Sequence, residues 1–326
     1  MYTAFYHLRE EPFKLTSDPR FFHLAEPHAI ALSALIEAVM RRQGFMVLTG
    51  QIGVGKTILL HTALQILTER ASGGKPLASA FILNPKLSRD EFLETLLMEF
   101  EIPCASTSKP ARLAALNRML QNVQRKGGTS VLLVDEAHLL SPDLLEEIRL
   151  LSNADTHQEK PLQIVLSGQP ELLGLLQRPD MRAVLQRIAR NYTLRPLSFP
   201  ELRAYVAERL YAAGFREAEY PFPTPALEVI FRFSKGVPRL INLLCDTCMV
   251  IGCKTKRPSI QVDMVEEAVA ELKLVEMSTA EPVKESVMAP AHSGNGTRAA
   301  LTESEIDSTI DVIIEAMKRR RSSPME

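Results

Sequence analysis

The sequence has almost no net charge, with 38 basic against 39 acidic side chains over 326 residues. This balance gives no overall electrostatic reason to expect a nucleic acid or a membrane as partner, so any basic surface must be local. Tryptophan is absent, but 46% of the residues are apolar and 24% are charged, which is typical of a folded globular protein. A chain of this length is expected to form about two domains.

Long apolar runs are also missing. The N-terminal sequence MYTAFYHLREEPFKL has no basic segment followed by an apolar one, so it is not a signal peptide. No stretch approaches the ~18 uncharged apolar residues that a membrane span requires. We therefore expect no transmembrane segment and a cytoplasmic location, and leave open a peripheral position at the inner membrane.

Cysteine is scarce: Cys104, Cys245, Cys248 and Cys253 are the only four, too few and too clustered for a disulfide framework. Cys245 and Cys248 form a C-x-x-C pair, which could indicate zinc or redox chemistry. No second pair or histidine pair completes four zinc ligands. The surrounding sequence LINLLCDTCMVIGC instead predicts a largely buried helix with structural thiols.

Apolar runs alternate with helical patterns over the first two thirds of the chain. The strand candidates are 45–49, 79–83, 130–134, 162–168 and 191–197. Runs without alternation are typical of strands buried on both faces of a parallel sheet, so the prediction is α/β, a parallel sheet flanked by helices. Four helical patterns after Pro196 predict a small all-α lid domain.

These patterns divide the sequence into five predicted regions. They are an N-terminal extension (1–26), an α/β nucleotide-binding domain (27–195), a helical lid (196–274), a flexible linker (275–300), and a C-terminal amphipathic helix with a basic tail (301–326). The tail ends in KRRR (318–321), which could lie on an anionic membrane or a partner, or could simply be solvated.

The sequence GQIGVGKT stands between the first strand and the next helix. Its spacing fits a loop whose backbone N–H groups surround phosphate oxygens at a helix N-terminus. The predicted nucleotide-binding residues are Gly50, Gln51, Ile52, Gly53, Val54, Gly55, Lys56, Thr57 and Ile58. Lys56 would reach the β and γ phosphates of ATP, and Thr57 would bind Mg²⁺. A plain glycine-rich turn is the alternative.

A second motif, VLLVDEAH, places two carboxylates at the end of a buried strand. Asp135 can hold Mg²⁺ through a water, while Glu136 points elsewhere and can orient and deprotonate the attacking water. An ordinary polar turn is the alternative. The next strand ends in Ser167, Gly168 and Gln169, so either Ser167 or Gln169 could sense the γ-phosphate, unless both only terminate the strand.

Arginines cluster in MRAVLQRIARNYTLR. Arg187, with Arg190 as second choice, could reach the γ-phosphate of a neighbouring subunit and neutralise charge in the transition state. The alternative is a surface cation on a helix. In KGVPR, Arg239 follows Pro238 at a predicted helix N-terminus and could act from the lid on the nucleotide, or form only a structural salt bridge.

Together GQIGVGKT, VLLVDEAH, QRIAR and GVPRLIN resemble an AAA+ ATPase. The N-terminal sequence FYHLREEPFKLTSDPRFFHLAEPHAIALSAL, with GFMVLTG, LSGQPEL, LQRIARNYTLRPLS and GVPRLINLLCD, resembles the ExeA or general secretion pathway protein A family over about residues 1–272. The resemblance implies Lys56 and Thr57 as phosphate and Mg²⁺ ligands, Asp135 and Glu136 as the acidic pair, and Arg239 as the second sensor. Larger family members continue into a transmembrane helix and a peptidoglycan-binding module, whereas after residue 274 this sequence predicts only a linker and one short helix.

The leading functional hypothesis is therefore an ATP-hydrolysing AAA+ protein that forms a homo-oligomer and helps to assemble or remodel a secretion, pilus or other envelope complex, with an inner-membrane protein as partner. A DNA-associated ATPase similar to transposition helper proteins is a second hypothesis. The neutral charge and the lack of a recognisable DNA-binding helix pair argue against it. A third is a nucleotide-dependent scaffold that hydrolyses poorly.

Overall fold

The computed structural model describes residues 2–15, 24–71, 74–104, 106, 108–152 and 160–274. The predicted linker (275–300) and C-terminal helix (301–326) lie outside these residues. The chain divides into two compact units. Among the described residues, a sheet unit contains those of 28–52 and 56–194, and a helical unit contains those of 1–27, 53–55 and from 195 onwards.

The first part of the described chain contains these elements: α1 (Tyr2–Phe5), α2 (Glu26–Met40), β1 (Phe45–Gly50), α3 (Lys56–Ala71), β2 (Leu77–Ile82), α4 (Arg89–Glu99), α5 (Lys109–Arg125), β3 (Thr129–Val134) and α6 (Pro142–Leu151). The second part contains β4 (Leu162–Gly168), α7 (Glu171–Leu176), α8 (Arg182–Leu185), β5 (Ile188–Leu194), α9 (Phe199–Ala212), α10 (Thr224–Ser234), α11 (Pro238–Thr255) and α12 (Val262–Glu271).

The five strands form one parallel sheet in the order β2-β3-β4-β1-β5. This arrangement confirms the predicted α/β class. The central strands β1 and β4 are buried at every position, and β3 at all but its first. The edge strand β5 instead alternates between partly buried and exposed residues up to Leu194, which is buried, because successive side chains of a strand point to opposite faces.

Strand register sets the level of the polar residues at the carboxyl edge. Leu48 of β1 pairs with Ser167 of β4, and Val134 of β3 pairs with Leu166. Asp135, which follows Val134, is therefore level with Ser167. Because parallel strands end at the same edge, the loop after β1 also lies at this level, and the predicted phosphate loop and acidic pair share one edge of the sheet.

Helix boundaries follow their capping residues. Ser88 caps α4, and a capping box joins it to Glu91. The last strand was predicted at 191–197 but occupies Ile188–Leu194, so that prediction was wrong by three residues. Pro196 has no N–H to donate to a strand, and the N–H of Leu197 binds the carbonyl of Gly236 at 2.9 Å instead of a strand.

The core of the helical unit is formed by α9 to α12 together with the N-terminal segment. Tyr2, Tyr6, Leu8 and Phe13 are all buried in it, and each such side chain contributes about 1.5–3 kcal/mol when fully buried. The Tyr2 hydroxyl donates to Asp246 of α11 at 2.5 Å. The N-terminal segment is therefore an integral layer of this unit.

Buried polar groups also bind the N-terminal segment. The guanidinium of Arg209 on α9 is buried and donates to the carbonyls of Pro12 at 2.6 Å and Lys14 at 3.1 Å. It also donates to the Tyr205 hydroxyl at 2.9 Å. Hydrogen bonds from a charged donor are roughly twice as strong as neutral ones, so Arg209 fixes the path of residues 12–14 across α9.

The thiols of the C-x-x-C pair lie inside this core. Cys245 and Cys248 are free and buried on α11, as the sequence predicted. Burial raises the pKa of Cys245, and raises that of Cys248 to about 12. No helix in the described part of the chain is long and apolar enough to cross a membrane.

Candidate functional site

The glycine-rich loop joins β1 to α3. Gly53 and Gly55 have φ values of +81° and +102°, a backbone region that residues with a Cβ rarely adopt. These turns direct the loop into the first turn of α3, which begins at Lys56. Val54 is buried, while Gln51 and Ile52 are exposed. The loop has the backbone form that anion binding at a helix N-terminus requires.

Lys56 is folded back over the loop. Its Nζ donates to the carbonyl of Gly50 at 2.8 Å and to that of Gln51 at 3.0 Å, and the residue is only 6% exposed. Burial lowers the pKa of Lys56, and the nearby carboxylates of Glu136 and Asp135 oppose this shift. A buried ammonium group satisfied only by carbonyl oxygens can exchange these contacts for phosphate oxygens.

Thr57, Asp135 and Ser167 form the centre of the site. The Thr57 hydroxyl donates to Oδ2 of Asp135 at 2.5 Å, and the Ser167 hydroxyl donates to Oδ1 at 2.9 Å. Asp135 and Ser167 are buried, 2% and 0% exposed. Both carboxylate oxygens are therefore held in place by hydroxyl donors from α3 and β4. The structure thus brings together residues 78 positions apart in the sequence.

Glu136 has an unusual backbone. Its φ of +49° places it in the left-handed region, where a residue with a Cβ is strained by roughly 1–3 kcal/mol. Its N–H donates to Oδ1 of Asp135 at 2.9 Å. The Glu136 side chain is 42% exposed. The two adjacent carboxylates consequently point apart, one buried beside Thr57 and the other towards solvent, as the sequence predicted.

His138 was not assigned a role from the sequence. It lies in the short 3₁₀ turn Ala137–Leu139 that follows the acidic pair. Its Nδ1 is 3.4 Å from Oε2 of Glu136 and 3.4 Å from the backbone nitrogen of Gln169. Its Nε2 is 3.0 Å from Nε2 of Gln169. The only sequence signal for His138 was its place at the end of the motif VLLVDEAH. Its contact with Gln169 could not be predicted, because that contact depends on β3 and β4 being neighbours.

The two sensor candidates occupy different positions. Ser167 uses its hydroxyl hydrogen on Asp135, whereas the Gln169 side chain contacts His138 beyond the end of β4. Ser167 is therefore bound to Asp135 and Gln169 to His138, and the choice of γ-phosphate sensor between them stays a prediction.

The arginine candidates lie on the sheet unit near β5. Arg187 is half-buried just before the strand, and its Nη1 donates to Ser152 Oγ at 3.3 Å. Arg190 lies within β5, where it donates to Gln43 Oε1 at 3.2 Å and pairs with Glu37 at 3.7 Å. Arg190 is thus bound on two sides within its own unit, which leaves Arg187 as the less constrained candidate.

Arg239 lies in the first turn of α11 in the helical unit. Its side chain is exposed, and its backbone N–H donates to the carbonyl of Gly53 at 3.3 Å. The preceding turn depends on Gly236, whose φ is +77°. A Cβ at this position would lie 1.8 Å from the carbonyl oxygen of Leu197. Only glycine fits there, so Gly236 fixes the point at which α11 begins and thereby the position of Arg239.

The donor set fits a nucleotide and a magnesium ion. In nucleotide sites Mg²⁺ usually takes one or two side-chain oxygens and completes its shell with phosphates and water, and Thr57 and Asp135 provide such oxygens side by side. Within the described residues, no group of three or more His, Cys, Asp or Glu side chains is placed to hold a metal. These features are those of a P-loop NTPase site: a glycine-rich loop followed by a lysine, a hydrogen-bonded Thr and Asp, and a parallel sheet that carries both.

Comparisons with known proteins identify the class. Residues 39–176 match a family described as an AAA domain. The chain is similar to the ORC2 protein of Aeropyrum pernix in ADPNP–ADP complexes, with a TM-score of 0.61 and 17% identity over 80% of this chain and 71% of that one. It is also similar to Drosophila ORC bound to DNA, with a TM-score of 0.63 and 18% identity over 84% and 66%. At these identities the likeness shows the fold, which is that of AAA+ P-loop NTPases.

A sequence relative narrows the assignment. General secretion pathway protein A of Aeromonas hydrophila is 40% identical over 253 residues, which cover 77% of this chain and 44% of that protein. The chain belongs to the ExeA-like, general secretion pathway protein A family of AAA+ ATPases. It spans less than half the length of that curated relative.

Proposed function

We propose that this chain binds ATP at residues 50–58 and hydrolyses it in a Mg²⁺-dependent reaction. The observation that carries this proposal is the hydrogen bond between Thr57 Oγ1 and Asp135 Oδ2, since a hydroxyl and a carboxylate at this distance form the metal-binding pair of such sites. When bound there, Mg²⁺ would neutralise charge on the phosphate oxygens.

Each residue then has a separate task. Backbone N–H groups of the loop and Lys56 would hold the phosphates, and Ser167 would keep Asp135 oriented. Glu136 would orient the attacking water and accept its proton. Gln169 would contact the γ-phosphate side of the site, a role that the sequence left open between Ser167 and Gln169. Arg239 would respond to nucleotide from the helical unit.

Measurements of ATP binding and ATP turnover by the wild type, Lys56→Ala and Glu136→Gln test the proposal. Lys56→Ala should lose measurable affinity for ATP in calorimetry. Glu136→Gln should bind ATP as tightly as the wild type and hydrolyse it at least about 100-fold more slowly, since general base catalysis contributes about 10²–10⁴. Equal, very low turnover in wild type and Glu136→Gln would instead favour the scaffold hypothesis. Absence of ATP binding by the wild type would overturn the proposal.

We further propose that the active form is a homo-oligomer in which Arg187 completes the site of a neighbouring subunit. Such arginines contribute about 10³–10⁵ in rate. Arg187→Ala should lower turnover strongly without changing ATP affinity, whereas Arg182→Ala, an exposed arginine five residues away, should have little effect. Native mass with and without ATP would show the assembly. Normal turnover by Arg187→Ala at all protein concentrations would refute this role.

The biological role proposed for this ATPase is assembly or remodelling of a secretion, pilus or other envelope complex, through an inner-membrane protein partner. The support is its relation to a general secretion pathway protein. Cross-linking in cells with Glu136→Gln, which should retain ATP and prolong the complex, would capture such a partner. Capture of chromosomal DNA with a steep salt dependence would favour the DNA-associated hypothesis instead.

A further inference from the structure

The strand β2 forms one edge of the sheet, with β3 as its only neighbour among the described strands. The carbonyl of Pro76 accepts the N–H of Thr129 at 2.9 Å, and two strand repeats later the carbonyl of Ile82 accepts an N–H at the same distance. Because the backbone groups of successive strand residues point to opposite sides, the residues between these two alternate. The N–H and C=O groups that point away from β3 belong to what we call the outer row of β2: Leu77, Ser79 and Phe81.

The strand β2 itself carries none of the features that protect an edge strand from pairing. Its sequence LASAFI has no charged residue and no proline, and its register with β3 is regular from end to end. The opposite edge strand β5 contains Arg190, and its register with β1 shifts between Phe45 and Met46. Charged side chains and register irregularities both hinder the addition of a further strand. Of the two edges, β2 is therefore the one that can accept another strand.

One side chain covers part of the outer row. Glu99, in the last turn of α4, is exposed, and its Oε2 accepts the N–H of Phe81 at 3.1 Å. Lys75, exposed just before β2, forms no hydrogen bond or ion pair with any other residue that the structure describes. The outer row therefore has a carboxylate beside its last residue and an ammonium group before its first.

We propose that β2 pairs with β2 of a second copy of this chain, antiparallel, about a twofold axis at Ser79. In this register Leu77 lies opposite the partner's Phe81, and Ser79 lies opposite the partner's Ser79. It is the register that uses the whole outer row of both strands. Each opposite pair is of the hydrogen-bonded type, which exchanges two N–H···O=C bonds, so the two sheets join into one.

The charges at the two ends of β2 complement each other in this arrangement. The N–H of Phe81 exchanges the Glu99 carboxylate for the carbonyl of the partner's Leu77, and the released carboxylate comes within reach of the partner's Lys75. The stem of that lysine covers Leu83, which follows β2 and is 55% exposed. The twofold axis repeats both contacts, as an interface between identical surfaces requires. This self-complementarity identifies a second copy, rather than an unrelated extended peptide, as the occupant.

Sedimentation of the full-length chain without nucleotide tests the pairing. Wild type should show a concentration-dependent equilibrium between monomer and dimer. Ser79→Pro removes an N–H that points away from β3, so the dimer loses two hydrogen bonds. Its dissociation constant should rise at least about tenfold, since each hydrogen bond contributes on average about fivefold. Ser79→Thr keeps the N–H and should dimerise like the wild type. Arg187→Ala should do the same, because β5 lies at the other edge, which separates this dimer from the oligomer proposed above.

A charge exchange tests the contact between Lys75 and Glu99. Lys75→Glu replaces two attractive contacts in the dimer by two repulsive ones and should weaken dimerisation at least about fivefold. Adding Glu99→Lys to the same chain restores opposite charges and should recover most of the loss. Lys254→Glu, a matched change at an exposed lysine of α11, should have no effect. Unchanged unfolding temperatures would show that the variants are folded.

Disulfide cross-linking tests the register. Residues opposite each other in a hydrogen-bonded pair have Cα atoms about 5.5 Å apart, a distance that a disulfide can bridge. Ser79→Cys should therefore give a covalent dimer on mild oxidation with diamide. Ala78→Cys, one position away, would lie about 7–8 Å from its own copy and should not cross-link beyond the wild-type level. A wild type that stays monomeric, a dimer insensitive to Ser79→Pro and Lys75→Glu, or equal cross-linking of the two cysteine variants would overturn the proposal.

Discussion

The imidazole Nδ1 of His138 lies 3.4 Å from a carboxylate oxygen of Glu136 and equally far from the backbone nitrogen of Gln169. An unprotonated Nδ1 accepts a hydrogen bond from Gln169, whereas a protonated Nδ1 donates to Glu136. Nδ1 can therefore bond to only one of these two groups at a time. This relationship connects the proposed water-activating carboxylate to the end of β4.

We predict that His138 is a positioning residue for Glu136. His138→Ala should lower kcat about 10–100-fold while leaving ATP affinity near its wild-type value, because the ring contacts Glu136 and Gln169 rather than the phosphate loop. Steady-state kinetics with separate kcat and KM values measures this, and calorimetry gives the affinity. A His138→Gln variant, which keeps a polar side chain, should recover part of the rate. An equal loss of binding and turnover would indicate general misfolding instead.

Ser167 gives a prediction about the metal. Removal of a group that orients a metal ligand typically costs 10–100-fold in metal affinity, so Ser167→Ala should raise the Mg²⁺ concentration for half-maximal ATPase activity by about that factor. Ser130→Ala is the matched control, because Ser130 is also a buried serine and lies on β3. An unchanged Mg²⁺ requirement in Ser167→Ala would show that Asp135 needs no support from Ser167.

Gly236 gives a prediction about stability. A Cβ at this position would meet the carbonyl oxygen of Leu197 at 1.8 Å, on a backbone with φ of +77°. Gly236→Ala should therefore lower the free energy of unfolding by roughly 3 kcal/mol, measured by urea denaturation. Gly174 in α7 is exposed with nothing near its Cβ, so Gly174→Ala should be neutral or stabilise by up to about 1 kcal/mol. A tolerated Gly236→Ala would contradict the geometry at α11.

Glu201 gives a prediction about acid stability. Burial raises the pKa of Glu201, but hydrogen bonds from Arg195 at 2.7 and 3.0 Å and from Ser198 lower it by more. The net pKa is about 2, against an ordinary value of 4.5. Since the folded protein binds this proton less tightly than the unfolded chain, the stabilisation is present above about pH 4.5 and is lost as the pH falls towards 2.

The corresponding experiment compares wild type with Glu201→Gln. Because Arg195 is half exposed, we expect a stability difference of only about 1–2 kcal/mol at pH 7, shrinking as the pH falls below 4.5. Urea denaturation at pH 7 and pH 3.5 would measure it. Glu219→Gln, an exposed glutamate on the same unit, should show no such trend. A constant difference at both pH values would rule out this contribution of Glu201.

Local patterns were sufficient to predict the α/β class and to select the segments that the structure brings together at the candidate site. The glycine spacing around Lys56 and the carboxylates after an apolar run are both encoded within ten residues, so they can be read without knowing the fold. The contact of His138 with Gln169 could not be predicted, because it depends on which strands become neighbours. The three-residue error in β5 has a similar cause, since an edge strand has weak apolar character and its end is set by the Leu197 contact with Gly236.

The packing of the N-terminal segment was equally inaccessible from local pattern, since Tyr2 and Asp246 are 244 positions apart. The burial of this segment has a practical consequence for the design of truncated forms of the protein. A truncation that starts the chain at α2 would look harmless, yet it would strip Tyr6 and Phe13 from a hydrophobic interior and deprive the Arg209 guanidinium of two carbonyl acceptors. Purified protein shortened in this way should expose apolar surface that binds ANS, and should aggregate when it is concentrated.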